Sequence, residues 1–419
     1  LAAALDYNRY DPFAPEMQQN PFPWYAALRE NAPVWKHPAS GIVFVSRHEH
    51  VSQILADTTT YSSRFASQPT FGSDAVNRQI EAIMAEGFPR VSTMLTEDPP
   101  LQTRYRKTVG KALSTRRILA LESKMRELTD EILDTWPTRG RVDVMNTLSI
   151  PLPIRVIGHF LCMNPAVFPH VKRWSDSSVA GLGAIITDEQ RIQAARDVVE
   201  LQKYWQSEFE ARRAAPNDDI ISALTQAEFE DETGAERPLN MPELISIVQQ
   251  LMVAGNETTT KVINETFRML LENPAWFPRL QREPAIINGL VDEALRISTP
   301  NQGMFRFVTQ DTELDGVRIP RGAMIWLMFG SANRDARVFP DPDKFDPLRP
   351  NLKESVAFGR GAHFCIGAPL ARLELKVLFE QVAERIESFA LPAGYELVYE
   401  PSYILRGLAG LELDVVRKT

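Results

Sequence analysis

Phe358-Gly359-Arg360-Gly361-Ala362-His363-Phe364-Cys365-Ile366-Gly367 runs directly into an amphipathic helical pattern that contains Ala371-Arg372-Leu373-Glu374. A cysteine in that place stands at a helix start, where unpaired backbone N–H groups and the positive end of the helix dipole favour an anion. The thiolate form of Cys365 is thereby stabilised, which suits a reactive or metal-ligating sulfur. Gly359, Gly361 and Gly367 are expected to supply positive φ angles and to let the backbone approach a flat ligand closely. An inert buried thiol is the usual fate of a lone cysteine. The density of glycines around Cys365 argues against it.

A second constellation, Ala254-Gly255-Asn256-Glu257-Thr258-Thr259, lies inside a long helical pattern that opens at Asn240-Met241-Pro242. Asn240 suits the N-cap and Pro242 the first turn. Glycine and hydroxyl residues weaken a helix, and Thr258 is expected to bond the Ala254 carbonyl four residues back, bending the ladder and opening a polar notch. A Glu-Thr pair on a helix is most often a solvated face, but the preceding Leu251-Met252-Val253 suggests burial. Glu293 and Arg296, three residues apart on one helical face, are close enough for a charge-assisted hydrogen bond. Such pairs are abundant, and at a surface each contributes only roughly 0.2–0.5 kcal/mol.

The cysteine segment resembles the heme-binding signature of the cytochrome P-450 family, F-G-x-G-x-H-x-C-x-G, at every defining position. The resemblance implies that Cys365 is the axial thiolate of heme b (iron protoporphyrin IX), with Phe358, Gly359, Gly367 and Ala254 against the cofactor. In this family the sulfur pushes electron density onto iron and favours O–O cleavage. The helix segment is similar to the family's A-G-x-[DE]-T-[TS] motif, which makes Glu257 the acid and Thr258 the alcohol of a proton relay to dioxygen. Glu293 and Arg296, with Arg349 in Phe345-Asp346-Pro347-Leu348-Arg349-Pro350, resemble a structural triad that serves folding, not chemistry. Two heme carboxylates in a protein interior need cationic or hydrogen-bonding partners. By resemblance these are Arg106, Arg306 and His363, with Gln102 standing where many relatives have His.

The same resemblance places a largely apolar substrate pocket at Leu95, Gln250, Val253, Ala254, Gln302, Gly303, Ile404 and Leu405. Residues 74–88 would form a variable entrance, with Phe71, Met84 and Phe88 within reach of the pocket. The implied activity is a monooxygenase that hydroxylates or oxidatively dealkylates a small-to-medium, largely apolar organic substrate with O2 and two external electrons. Only one other cysteine, Cys162, remains, so the electrons are expected from a ferredoxin with its reductase and NAD(P)H. Lys107, Lys111, Arg116, Arg117, Arg360 and Arg372 would form a basic docking patch. A heme-thiolate peroxygenase or isomerase, and a non-catalytic heme protein that binds a gas, are the competing readings. Glu257 and Thr258 count against the first, which needs no acid-alcohol relay.

Helices must position these groups. Apolar residues return at three- and four-residue steps in Leu119 to Trp136, Arg191 to Arg213, Pro242 to Leu271 and Pro369 to Ile386. Ile42 to Ser46, Phe305 to Thr309, Gly316 to Ile319, Ala323 to Phe329 and Leu411 to Val416 read as short strands. Arg334 to Pro350 holds four prolines and must be an irregular meander. The expected class is mainly α with small β-sheets (α+β), the fold of the cytochrome P-450 family. No repeat or composition shift marks a boundary, so residues 1–419 read as a single heme domain, with the family's motifs in order from about residue 20 to residue 415.

Composition narrows the alternatives. A net charge of -8 disfavours a general nucleic-acid or membrane-surface binder. Two cysteines are too few for a disulfide framework and fit a reducing cytoplasm. The six histidines show neither a paired zinc spacing nor an H-E-x-x-H helix. No apolar run is long enough to span a bilayer, and residues 1–12 lack the pattern of a signal peptide.

Overall fold

The computed structural model describes residues 5–64, 73–181 and 186–418. Phe71 lies outside them. Helices dominate, and contacts gather the chain into two compact units, one of residues 1–62, 122–153 and 258–419, the other of residues 63–121 and 154–257.

The first unit contains the larger sheet, with strands in the order Val34–Lys36, Val43–Val45, Met324–Met328, Gly303–Val308 and Tyr61–Ser62. Val43–Val45 and Met324–Met328 run parallel, and the other neighbours are antiparallel. Strict alternation decides what each face buries. Val43, Val45, Ile325 and Leu327 pack with Val51, Ile54 and Leu55 of the helix His48–Ala56. Phe44, Trp326 and Met328 pack on the opposite face with Tyr25 and Leu28 of the helix Phe22–Asn31. A second antiparallel sheet joins Ile386–Ala390, Glu412–Arg417 and Arg139–Asp143. The helix Ala368–Arg385 packs against Glu122–Asp134 and Ile287–Ser298. Residues 334–350 contain neither helix nor strand, as their prolines require.

In the second unit the helix Asp188–Ala214 starts on a capping box of Thr187 and Gln190 and packs against Phe168–Val179 and Asp74–Met84. The helix Leu101–Ala112 lies against a hairpin of Glu228–Glu230 and Glu236–Pro238. The helix Met241–Glu272 is unbroken, and the boundary between the two units falls within it, between Glu257 and Thr258. The stretch read as one helix over Leu119 to Trp136 is instead two helices, Thr115–Ala120 and Glu122–Asp134.

Candidate active site

Cys365 sits two residues before Gly367, the N-cap of the helix Ala368–Arg385. Its own N–H donates to the Phe358 carbonyl at 2.9 Å, which closes the glycine-rich segment into a tight loop. Gly359 and Gly361 have φ of +68° and +67°, the left-handed region that glycine adopts without strain. Gly361 is needed a second time, because a Cβ there would stand 2.7 Å from the Leu55 carbonyl oxygen at the end of the helix His48–Ala56. Gly367 corrects the expectation of a third positive φ. Its φ is -83°, in the right-handed region that a helix N-cap continuing into the first turn can take. A Cβ at Gly367 would make only an ordinary van der Waals contact, 3.8 Å from Cys365 Sγ. Phe358 flanks the loop edge-on to Phe364, with the Arg372 guanidinium 4.7 Å above the Phe358 ring. Arg372 also holds Asp292 at 2.7 Å, tying the loop to the helix Ile287–Ser298.

That helix carries Glu293 and Arg296, both 0% exposed. Arg296 Nε and Nη2 donate to the two Glu293 oxygens at 2.7 and 2.8 Å, and Arg349 Nε reaches Glu293 Oε1 at 3.2 Å. Further arginine donors go to backbone carbonyls: Arg296 to Asn333 and Pro342, and Arg349 to Pro340, Asp341 and Lys344. The sequence alone did not mark Asn333, which is fully buried. Its amide donates to Thr299 Oγ1 at 2.8 Å and accepts from the Val356 N–H at 2.7 Å, joining the end of the Glu293 helix to the entry of the cysteine loop.

Arg306 is 4% exposed on the strand Gly303–Val308, opposite Ile325, and Nη1 donates to the Phe305 carbonyl at 2.7 Å. Gly303 lies so close to the neighbouring strand that a Cβ would stand 2.2 Å from the Leu327 oxygen and 2.7 Å from the Trp326 ring. The Gln302 side chain, expected in a substrate pocket, is 1% exposed and turned inward. Its Nε2 donates to the carbonyls of Ser298 and Thr299 at 3.1 and 2.6 Å, where the helix has just ended with Thr299 at φ +38°. Orphan carbonyls at a helix end claim that amide. The Ile404 and Leu405 side chains remain partly exposed.

In the second unit Glu257 is 7% exposed, as the apolar run before it suggested. Its Oε1 faces Lys172 Nζ at 3.3 Å, and Lys172 also meets Asp176. Burial alone lowers the Lys172 pKa, but the Glu257 and Asp176 carboxylates outweigh it and hold the ammonium above its ordinary value. Gly255 leaves room for Ile157, whose Cδ1 would lie 2.9 Å from a Cβ. Asn256 donates to Ser175 Oγ at 2.8 Å and, four residues back, to the Met252 carbonyl at 2.7 Å. Ala254 is exposed, Val253 half-buried and Leu95 46% exposed. Gln250 spends its Nε2 on Thr93 and Ser246 Oγ at 2.7 and 3.0 Å, so it faces a neighbouring segment.

Arg106 and Gln102 share the helix Leu101–Ala112, Gln102 fully buried and Arg106 half-buried. Tyr105 anchors that helix. Its hydroxyl donates to Glu243 at 2.7 Å and its ring stacks on Phe229 at 4.2 Å. Glu243 accepts from Arg237 as well and exchanges cap hydrogen bonds with Asn240, its N–H donating to Asn240 Oδ1 at 3.0 Å and the Asn240 N–H to its Oε2 at 2.8 Å. Burial raises the Glu243 pKa, but these donors together outweigh it and leave the carboxyl below its usual range.

The donor set fits a heme. Among the described residues no group of three or more His, Cys, Asp or Glu could hold a metal ion. A lone sulfur at a helix start, in a loop stripped of side chains by Gly359, Gly361 and Gly367, suits a metal whose other in-plane ligands belong to a flat macrocycle. Of the basic residues expected to form a docking patch, Arg117, Arg360 and Arg372 are each paired, with Asp218, Glu354 and Asp292. No helix among the described residues is long and apolar enough to cross a membrane.

A model of the family described as Cytochrome P450 matches residues 184–394. The chain is 33% identical to a vitamin D(3) 25-hydroxylase of Pseudonocardia autotrophica, covering 97% of each chain. It is 32% identical to a 6-deoxyerythronolide B hydroxylase of Saccharopolyspora erythraea, covering 92% of this chain and 93% of that one. Among solved structures it is similar to CYP109E1 from Bacillus megaterium in complex with testosterone, with a TM-score of 0.82, 32% identity, and 96% and 99% of the two chains covered.

Proposed function

Because this chain belongs to the cytochrome P450 family of monooxygenases, we propose that it hydroxylates or oxidatively dealkylates a largely apolar organic molecule with electrons from a ferredoxin and its NAD(P)H-dependent reductase. The observation that carries the reading is Cys365, held by its N–H to the Phe358 carbonyl in a glycine-lined loop ahead of a helix. Residues 1–419 are read as one catalytic domain working in the cytoplasm, and the near-complete coverage of P450 relatives supports the single-domain part of that reading. The relatives named for vitamin D(3) and 6-deoxyerythronolide B, and the neighbour holding testosterone, favour a bulky multicyclic or macrocyclic substrate.

Heme, when bound, supplies the redox chemistry by which O2 is reduced and one of its atoms enters a substrate C–H bond. Cys365 Sγ would ligate its iron, at a helix start whose N–H groups favour a thiolate. Phe358, Gly359 and Gly367 present backbone and ring surface to the cofactor, as does Ala254 by resemblance. Arg306 and His363 take its carboxylates, and Arg106 and Gln102 are assigned the same task. Glu257, paired with Lys172, and Thr258, next to it on the same helix, are the carboxyl and hydroxyl that would pass a proton toward the cofactor. By resemblance, substrate contact is assigned to Gly303, Ile404 and Leu405 in the first unit and, separately, to Leu95 and Val253 in the second.

Reduction of the heme-loaded protein under CO gives the strongly red-shifted Soret band of thiolate ligation. Its absence from fully heme-loaded protein overturns the reading. Screening steroids and macrolides for the low-spin to high-spin change, followed by substrate-dependent NAD(P)H consumption with ferredoxin and reductase, identifies what is oxidised.

A further inference from the structure

The hairpin of residues 398–409 carries Ile404 and Leu405 at its turn and is fastened at both ends. At the turn, the Gln302 N–H donates to the Ile404 carbonyl at 2.7 Å and the Arg406 N–H to the Pro300 carbonyl at 2.8 Å. Ser402 Oγ accepts from the Leu405 N–H at 3.1 Å, which fixes the local bend. At the base, the Glu400 N–H donates to the Gly407 carbonyl at 3.0 Å, and Tyr399 bridges Leu408.

Glu400 also reaches the long helix. Its Oε2 accepts from Lys261 Nζ at 2.6 Å, with the lysine side chain 9% exposed and the glutamate 47%. Lys261 lies three residues beyond Thr258 on the helix Met241–Glu272. Gly407 makes the crossing possible, because a Cβ there would stand 2.5 Å from Lys261 Cγ. A short ion pair whose cation is almost wholly shielded is a firm distance constraint, since removing either partner leaves the other to relocate. The hairpin is thus a strut between the helix turn next to Thr258 and the backbone at Pro300–Gln302.

We infer that Lys261 is a specificity-determining positioning residue, whose ion pair with Glu400 sets how far Ile404 and Leu405 stand from the Thr258 turn and so the width of the substrate space. This rests on the reading of Ile404 and Leu405 as substrate contacts in a heme monooxygenase. Lys261 itself touches neither substrate nor cofactor. A methylene-scale displacement of a pocket wall changes affinity for bulky ligands and leaves small ones alone.

Two azole probes separate these effects in the heme-loaded protein. Imidazole reports access to iron, and 4-phenylimidazole adds a ring that must meet the wall. In Lys261→Met and in Glu400→Gln, affinity for 4-phenylimidazole changes by at least about fivefold while that for imidazole stays within about twofold. The exchange Lys261→Glu with Glu400→Lys restores the wild-type ratio, and Lys261→Arg lies closer to wild type than Lys261→Met. Glu400→Gln alters a half-exposed carboxylate and keeps the test valid where Lys261→Met fails to fold. Wild-type affinity for both azoles in the single variants, or an equal loss for both, overturns the inference. A heme-loaded wild-type protein that binds neither azole overturns the monooxygenase reading on which it rests.

Discussion

Lys172 Nζ stands 3.3 Å from Glu257 Oε1, joining a partly exposed ammonium to a buried carboxylate. With Asp176 on the same lysine and more than half exposed, charge runs from the surface to a buried acid. Removing the cation leaves that acid to hold its proton to higher pH, because burial and the loss of an opposite charge both disfavour ionisation. In Lys172→Met the acidic limb of the kcat/KM profile for ferredoxin-driven turnover therefore moves to higher pH. A pH profile superimposable on the wild type removes Glu257 from the proton path.

Thr258→Ala separates two routes to the same product. Ferredoxin-driven product formation falls roughly 10²-fold, the loss expected when a positioned proton donor is removed. Peroxide-driven turnover, which needs no relay, stays within a few-fold. Parallel assays measure both, and equal losses in the two would point to a damaged pocket.

Cys365→Ser keeps the size of the side chain and removes the soft anionic donor. The red-shifted CO band disappears while far-UV circular dichroism is unchanged. Persistence of that band in the variant would mean that another residue ligates the iron.

Glu293→Gln attacks the most buried ion cluster of the first unit. Arg296 and Arg349 both lose their carboxylate partner in an environment where Arg296 is 0% and Arg349 8% exposed. Breaking a buried pair from one side costs roughly 3–5 kcal/mol. Urea unfolding of the purified variant should show that loss, together with weakened heme retention. Exposed pairs such as Lys124 with Glu127, 2.7 Å apart, serve as controls and contribute less than about 1 kcal/mol.

Glu374, on the helix that follows Cys365, is 3% exposed, and burial pushes its carboxyl up to about 8. A carboxyl whose pKa is higher folded than unfolded binds more protons when folded, so stability falls as pH rises from about 4.5 to about 8, then levels. Glu374→Gln has no such slope. Relative to wild type it gains stability steadily across that window, by at most about 1.4 kcal/mol for each pH unit crossed. Melting temperatures measured at pH 5 and pH 8 check the sign.

Much of the machinery was legible because it is local. Asn240 caps the long helix as its place before Met241-Pro242 implied, and the prolines of residues 334–350 do exclude regular structure. The cysteine loop declared itself through glycines adjacent in sequence. What escaped depends on partners far along the chain. Lys172 and Glu257 are 85 residues apart, Lys261 and Glu400 139 apart, and nothing in either neighbourhood marks the pairing. The strand Arg139–Asp143 is short and mostly polar, and exists because Glu412–Arg417 supplies its ladder. Gln250 and Gln302 also have partners that sequence position does not mark: their Nε2 groups donate to Thr93 and Ser246 hydroxyls and to the carbonyls at a helix end.

Asn333 uses one end of its amide to donate to Thr299 and the other to accept from Val356. Only a side chain that is donor and acceptor at once satisfies both partners, so aspartate, with the same shape, would keep one clasp and lose the other. The residues between 333 and 356 are thus a loop closed by a polar button, its ends held independently of its length. The same stretch is gripped in its middle by Arg349 on the Lys344 carbonyl and by Arg334 on Asp343, so losing one clasp at Asn333 would loosen the entry to the cysteine loop while the Asp343-Lys344 tip stays anchored.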